Sequence, residues 1–336
     1  MYESRVVSCA NNPVLSALVL IGTLWGVSYA QAPLSPEVVQ RFLGIEPDPL
    51  PKKLAADAHF VVSDEGAHYL FKNAITDLGG CMVGVGTDQN YLMAGWAKPE
   101  ILIIADFDQV VVDVHRLYRL AFIHCATPSE FIRAWKDASI LKWLDTEGLS
   151  PSEQKRLEKV YQKSRNLVVD RLARIRATYR KVKVKTFLDD QKQYDFLRSL
   201  FMSNRVFALR GDLTGNKTYR QIGETLRSLG IPVRVLYLSN AEKYFECSQS
   251  YRENMRSLPF DDKSVVLRTA GGWDIEFAPD GLYTYLVQPA SSFLAFMQEG
   301  VDCSFKAIVS KRRLDKKRKG FGVIDFVPIP KKKGVR

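Results

Sequence analysis

The chain has 336 residues, 46% hydrophobic and 25% charged, with 48 Lys+Arg against 37 Asp+Glu. This composition excludes collagen-like, disordered and disulfide-scaffold classes and allows either two domains or one large α/β domain with insertions. The formal charge of +11 is concentrated: residues 311–336 hold eleven Lys+Arg and two acids, so the basicity belongs to a tail and not to a nucleic-acid-binding body.

Arg5 precedes an uncharged apolar run at 14–27, followed by Ser28-Tyr29-Ala30-Gln31-Ala32. This is the layout of a secretory signal peptide at 1–32, cleaved after Ala32 or Ala30, and it predicts a periplasmic or secreted protein. The run is short for a bilayer span of ~20 residues, which leaves a retained N-terminal membrane anchor as the alternative. Cys9 lies before the run, where it cannot act as a lipobox cysteine. The remaining Cys81, Cys125, Cys247 and Cys303 form an even set that an oxidising compartment can pair. Their spacing matches neither a CxxC pair nor a zinc site, and the apolar surroundings of Cys81 and Cys125 favour buried free thiols.

Residues 33–60 carry Pro33, Pro36, Pro47, Pro49 and Pro51 and read as an extended arm with a short helix at 36–43. Residues 63–78 place Ala67, Leu70, Phe71, Ala74, Ile75 and Leu78 at helical spacing, with Ser63 and Asp64 as N-caps and Gly79-Gly80 as the stop. A strand at 81–86 enters a glycine turn, a helical turn follows at 91–97, and the apolar run 101–105 has the look of a strand buried on both faces. Helices are expected at 109–122 and 128–144. Residues 150–185 read as an inserted helical arm: Ser150-Pro151-Ser152-Glu153 starts a helix, and Leu157, Tyr161, Leu167, Val168, Leu172, Ile175 and Tyr179 form one stripe on an otherwise solvated, charged surface. After 196–201 come a strand at 205–209, a helix at 219–229, a strand at 233–238, and strands at 264–267 and 283–287. Six strands with intervening helices predict one α/β domain at 61–290, with a doubly wound, mainly parallel sheet carrying the insertion. Residues 291–336 form a C-terminal segment with the basic tail.

In open α/β sheets, ligands bind outside the carboxyl ends of the strands. Four polar loops fall there: Gly86-Thr87-Asp88-Gln89-Asn90, Asp106-Phe107-Asp108, Gly211-Asp212-Leu213-Thr214-Gly215 and Ser239-Asn240-Ala241-Glu242. Gly84-Val85-Gly86, with Asp106 twenty residues past Gly86, has the layout of an adenosyl or nucleotide site in which glycines admit the ligand and the acid holds a ribose. Asp88 would repel a pyrophosphate yet tolerate the S-adenosylmethionine cation. The candidate ligand-binding set is therefore Gly84, Gly86, Asp88, Gln89, Asn90, Asp106, Asp212, Ser239, Asn240 and Glu242, with Asp212 as the candidate catalytic residue. Residues 211–218 (GDLTGNKT) come within one residue of a Walker A loop, but Asn216 replaces a glycine and Asp212 would sit beside the phosphates. Arg210-Gly211-Asp212 matches a cell-adhesion triplet at a strand end, where the match is coincidental. His59, His68, His115 and His124 show no metal spacing, and no metal is expected. Neither a G-x-S-x-G elbow nor a glycosidase dyad is present.

The motifs Ser63-Asp64-Glu65, Gly84-Val85-Gly86-Thr87-Asp88-Gln89-Asn90, Ile103-Ile104-Ala105-Asp106, Gly211-Asp212-Leu213-Thr214-Gly215, Ser239-Asn240-Ala241-Glu242-Lys243-Tyr244 and Leu258-Pro259-Phe260-Asp261 stand in an order that resembles a bacterial family of unassigned function. That family carries S-N-E, G-V-G-x-D-Q-N, G-D-x-x-G, S-N-x-E-x-Y and L-P-x-D. The resemblance spans roughly 60–269 and implies a Rossmann-like fold similar to class I S-adenosylmethionine-dependent methyltransferases, hence S-adenosylmethionine as the cofactor of a methyltransferase-like enzyme. Two departures stand out: Asp64 replaces the usual Asn, and the helical insert differs. An export signal also sits badly with a cytosolic methyl donor.

In the tail, Lys311-Arg312-Arg313, Lys316-Lys317-Arg318-Lys319 and Lys331-Lys332-Lys333 can neutralise the phosphates of a lipid surface or a nucleic acid, or serve as a solvated terminus. Phe321, Ile324 and Phe326 suit an added edge strand. Two function classes remain. A small-molecule binder or enzyme predicts a pocket lined by the four polar loops. A non-enzymatic envelope interaction protein, using the insert and the tail, predicts loops packed on one another and an apolar patch elsewhere. Oligomeric state is not legible.

Overall fold

The computed structural model describes residues 32–49, 60–272 and 276–330. The expected signal at 1–32 (apart from Ala32), His59 and the lysines at 331–333 lie outside the described residues. No helix among the described residues is long and apolar enough to cross a membrane.

Eight strands form one sheet: β1 (Cys81–Gly84), β2 (Ile101–Asp106), β3 (Val206–Arg210), β4 (Val233–Ser239), β5 (Val265–Ala270), β6 (Thr284–Pro289), β7 (Arg313–Leu314) and β8 (Phe321–Val323). Their order is β3-β2-β1-β4-β5-β6-β8-β7. The first five run parallel, β6 is antiparallel to β5, β8 is parallel to β6, and β7 is antiparallel to β8. The order reverses between β1 and β4, the switch point of a Rossmann-like doubly wound sheet. Side chains alternate across it: Met82, Leu102, Ile104, Val235 and Tyr237 join one core, and Cys81, Val83, Ile101, Ile103 and Leu236 the other. Both faces are thus covered, which is why the central strands read as continuous apolar runs.

The helices are α1 (Pro36–Leu43), α2 (Lys72–Ile75), α3 (Gln89–Ala97), α4 (Gln109–His124), α5 (Pro128–Lys136), α6 (Ser139–Leu144), α7 (Pro151–Lys181), α8 (Gln191–Met202), α9 (Thr218–Ser228), α10 (Gln249–Ser257), α11 (Ala290–Phe296) and α12 (Phe305–Val309). Cores on the two faces take α3, α4, α5, α7 and α8 on one side and α9, α10 and α11 on the other. Helix α1 occupies the expected residues.

Several expectations are corrected. The helix at 63–78 shrinks to a 3-10 turn (His68–Phe71) and the four-residue α2. Ser63 and Asp64 cap nothing, because the Ser63 N–H goes to Asp88 and Asp64 accepts the Tyr283 hydroxyl. The helix at 128–144 breaks at Ala138, whose φ is +62°. The α7 stripe is buried as expected except for Leu167, half exposed. Through that stripe α7 packs along α4 and α5, and Arg171, which reads as part of the solvated charge, is buried with it. The tail contributes β7 and β8, with Phe321 and Ile324 buried, whereas Phe326 stays on the surface. Cys81 and Cys125 are buried free thiols, but Cys247 and Cys303 form a disulfide.

Candidate functional site

The glycine turn after β1 lies at the switch point, where the sequence places a ligand. Gly86 has φ +79°, a conformation glycine adopts without strain. A Cβ at Gly84 would stand 1.9 Å from Asn90 Oδ1, and one at Gly86 2.4 Å from Gln89 Nε2. The room these glycines leave is therefore filled by the chain's own amides. Asn90 Nδ2 donates to the carbonyls of Val85 and Thr87 at 2.9 and 3.1 Å, and Gln89 Oε1 accepts the Thr87 N–H at 3.1 Å.

Asp106, at the end of β2, accepts the N–H of Gly86 at 3.1 Å and that of Asp108 at 3.0 Å, while Asp108 caps α4. His115 on α4 supports the same turn. Its Nε2 lies 2.9 Å from the Gly86 carbonyl, which can only accept, so Nε2 carries the proton and Nδ1 takes the Tyr91 hydroxyl at 2.6 Å. Burial pushes the His115 pKa down to about 4.

Asp88 is buried and accepts the Ser63 N–H at 3.2 Å and Arg171 Nε at 2.8 Å. Arg171 Nη1 also donates to the Glu65 carbonyl at 2.6 Å, so one guanidinium ties α7 to the start of α3 and to the 63–65 turn. Glu65 is the hub above β4 and β5. Its carboxylate accepts from His68 Nε2 at 2.7 Å, Ser239 Oγ at 2.8 Å, and the hydroxyls of Thr269 and Tyr237. Burial drives the Glu65 pKa up, but the His68 bond and charge, then Thr269 and Tyr237, outweigh it and hold the carboxyl at about 2. Asn240 and Asp64 meet over this hub through the Tyr283 hydroxyl, at 3.5 and 2.8 Å.

Two predicted residues belong to separate clusters. Glu242 accepts the Tyr251 hydroxyl and Arg268 Nε, both at 2.7 Å, in a buried ion pair. Asp212 sits in the 211–218 loop, where its carboxylate takes the N–H and hydroxyl of Thr214, each at 2.8 Å. The amides of Asp212, Asn216 and Lys217 converge at 3.1, 3.0 and 3.0 Å on the Asp48 carboxylate from the proline arm. A carboxylate of the chain itself thus fills the place a phosphate would take in a P-loop.

Gly84, Gly86, Asp88, Gln89, Asn90, Asp106 and Ser239 are therefore brought into one region, where Asp106 holds Gly86, Asn90 and Gln89 fill the space beside the two glycines, Arg171 holds Asp88 and Glu65 holds Ser239. Glu65, His68, Tyr237, Thr269 and Asp48 carry no spacing signal beyond the Ser63-Asp64-Glu65 motif. Arg171 was legible in principle, because it falls within the Val168, Leu172, Ile175 stripe. No cluster suited to a metal occurs among the described residues. A cavity of about 420 Å³ runs along β3 and reaches the site at His115; Val39 and Leu43 of α1, Leu120 of α4 and Leu157 of α7 line it together with the charged Arg116, Arg119 and Glu147.

Residues 60–325 match the family described as "Domain of unknown function (DUF7790)". The chain belongs to this family. No curated protein sequence matches it. Among solved structures, two of the rRNA methyltransferase aviRa from Streptomyces viridochromogenes are similar at 13% and 12% identity, covering 67% of this chain and 81% and 80% of theirs, with a TM-score of 0.30 each.

Proposed function

We propose that this chain is a non-catalytic contact protein of the cell envelope, built on a Rossmann-like sheet whose strand-end edge has closed over its own polar side chains. One observation carries the reading: the space beside Gly84 and Gly86 is taken by Asn90 and Gln89, and Asp106 is engaged by the same turn. An adenosyl ligand would have to displace both amides and break the Gly86–Asp106 bond before reaching the edge. The Cys247–Cys303 disulfide supports an oxidising compartment. The cavity beside β3, lined by apolar side chains together with Arg116, Arg119 and Glu147, supports a contact role for a second surface.

The test is thermal unfolding of the chain with S-adenosylmethionine, S-adenosylhomocysteine and nucleotides, paired with a Gly84→Ala and Asn90→Ala cycle. We expect no ligand shift. Gly84→Ala should cost roughly 1–3 kcal/mol by overpacking, and the double variant should lose less than the sum of the single ones. A selective shift with the adenosyl compounds, abolished by Asp106→Ala, would overturn the reading; saturation at 100 times Kd adds ~2.7 kcal/mol.

A further inference from the structure

We propose that the β7–β8 hairpin and the segment after it form a docking surface for an anionic phospholipid bilayer. This names a partner for the contact role above and rests on that reading.

The hairpin presents charge by construction. Asp315 opens its turn and is engaged within it, accepting the Lys317 N–H and Arg318 Nε, each at 2.8 Å. Arg318 in turn lies 3.8 Å over the Phe321 ring. Gly320 closes the turn at φ +67°, where a Cβ would stand 2.0 Å from the Ala278 nitrogen, so the turn is pressed against the 277–278 backbone that leads into β6. With its acid occupied internally, the turn holds Lys316, Lys317 and Lys319 exposed at the sheet edge, next to exposed Arg313 and Lys311. Arg313 pairs with Asp325 at 2.6 Å.

Beside this charge runs an apolar strip. The Ser292 hydroxyl donates to the Phe326 carbonyl at 2.7 Å and fixes the chain there, while Lys311 Nζ lies 4.7 Å from the Phe326 ring centroid. Phe326, Val327 and Ile329 then stand 42%, 59% and 89% exposed, and the sequence continues into Lys331-Lys332-Lys333. Lysines ranged beside exposed apolar side chains suit a surface that offers phosphates above hydrocarbon. A nucleic acid would satisfy the lysines but give the aliphatic Val327 and Ile329 nothing to stack on.

The experiment is co-sedimentation of the protein from Pro33 onward, as the expected signal cleavage leaves it, with phosphatidylcholine vesicles, with and without phosphatidylglycerol, across a salt series. Binding is expected only with phosphatidylglycerol, weakening as salt rises. It should fall about tenfold or more in a Lys316→Glu, Lys317→Glu, Lys319→Glu variant, and severalfold in Ile329→Ser. Both variants should keep the parent Tm, because the altered side chains are exposed. Absent binding, equal binding to neutral vesicles, indifference to both variants, or displacement from vesicles by single-stranded RNA would each overturn the surface. A ligand-induced Tm shift with vesicle binding intact would overturn the closed-edge reading alone.

Discussion

A carboxylate buried with five donors around it behaves differently from one in water, and Glu65 shows the consequence for pH. Its folded pKa of about 2 lies below the ordinary 4.5, so the unfolded chain takes up the proton first as pH falls. The stability this group contributes is complete above about pH 4.5 and is lost as pH drops toward 2. His115 acts in the same sense at higher pH, since burial holds it at about 4 against 6.5. Two acid-sensitive windows follow, one from 6.5 to 4 and one from 4.5 to 2. Glu65→Gln should flatten the lower window and reduce stability at neutral pH by on the order of 3 kcal/mol. Urea unfolding followed from pH 7 to 2 reads both effects, and an unchanged lower window would assign the acid sensitivity to another group.

Among the elements, the proline arm is tied to the domain through Asp48 and Glu46 and through Phe42 of α1. Asp48 gathers three amides of the 211–218 loop, its own N–H donates to Thr218 Oγ1 at 3.1 Å, and Glu46 pairs with Lys217 at 2.6 Å. A Cβ at Gly215 would fall 2.3 Å from the Asp48 carboxylate, so that glycine serves the latch. Asp48→Ala leaves three backbone donors without their acceptor and should cost roughly 1–3 kcal/mol. Limited proteolysis should then cut within residues 33–49 faster than in the parent, while cutting in α7 stays unchanged. Equal cutting in the arm would show that α1 packing on Phe207, with ring centroids 4.3 Å apart from Phe42, holds it unaided.

At the scale of the whole molecule, the sheet has two unlike edges: β3, beside a cavity lined by apolar and charged side chains, and the basic β7–β8 hairpin. Between them, Cys247 and Cys303 join the loop before α10 to the loop before α12 across 56 residues of sequence. Closing a loop of that length stabilises the fold by up to about 4 kcal/mol in the chain-entropy account. Reductant should therefore lower Tm by several degrees in the parent and not in a Cys247→Ser, Cys303→Ser double variant. In protein alkylated directly from cells, Cys247 and Cys303 should label only after reduction. Free labelling would remove the oxidising-compartment reading. Cys81 and Cys125 give no background in the folded state, since burial pushes both thiols up, Cys125 to about 11.

Most of the sheet was determined locally. The runs at 81–84, 101–105 and 235–238 are apolar on both faces, and the Ser150 cap with its reciprocal Glu153 is short-range chemistry, so most strands and the long helix α7 were legible in order. The convergence of Gly84, Asp88, Asp106 and Ser239 at one edge also followed from sequence, because a parallel sheet brings its strand ends together. What occupies that edge did not. Whether a glycine admits a ligand or the side chain of Asn90 depends on where α3 points. Whether a helix from a distant part of the chain drops Arg171 onto Asp88, or a proline arm returns Asp48 to a loop 164 residues away, depends on packing between elements that no local pattern encodes. The pairing of Cys247 with Cys303, and of β8 with β6, belongs to the same class. Local pattern set the elements and the edge at which their polar ends meet; tertiary packing decided which groups meet there, from Asn90 and Gln89 of the same turn to Glu65, Arg171 and Asp48, which come from residues far apart in the chain.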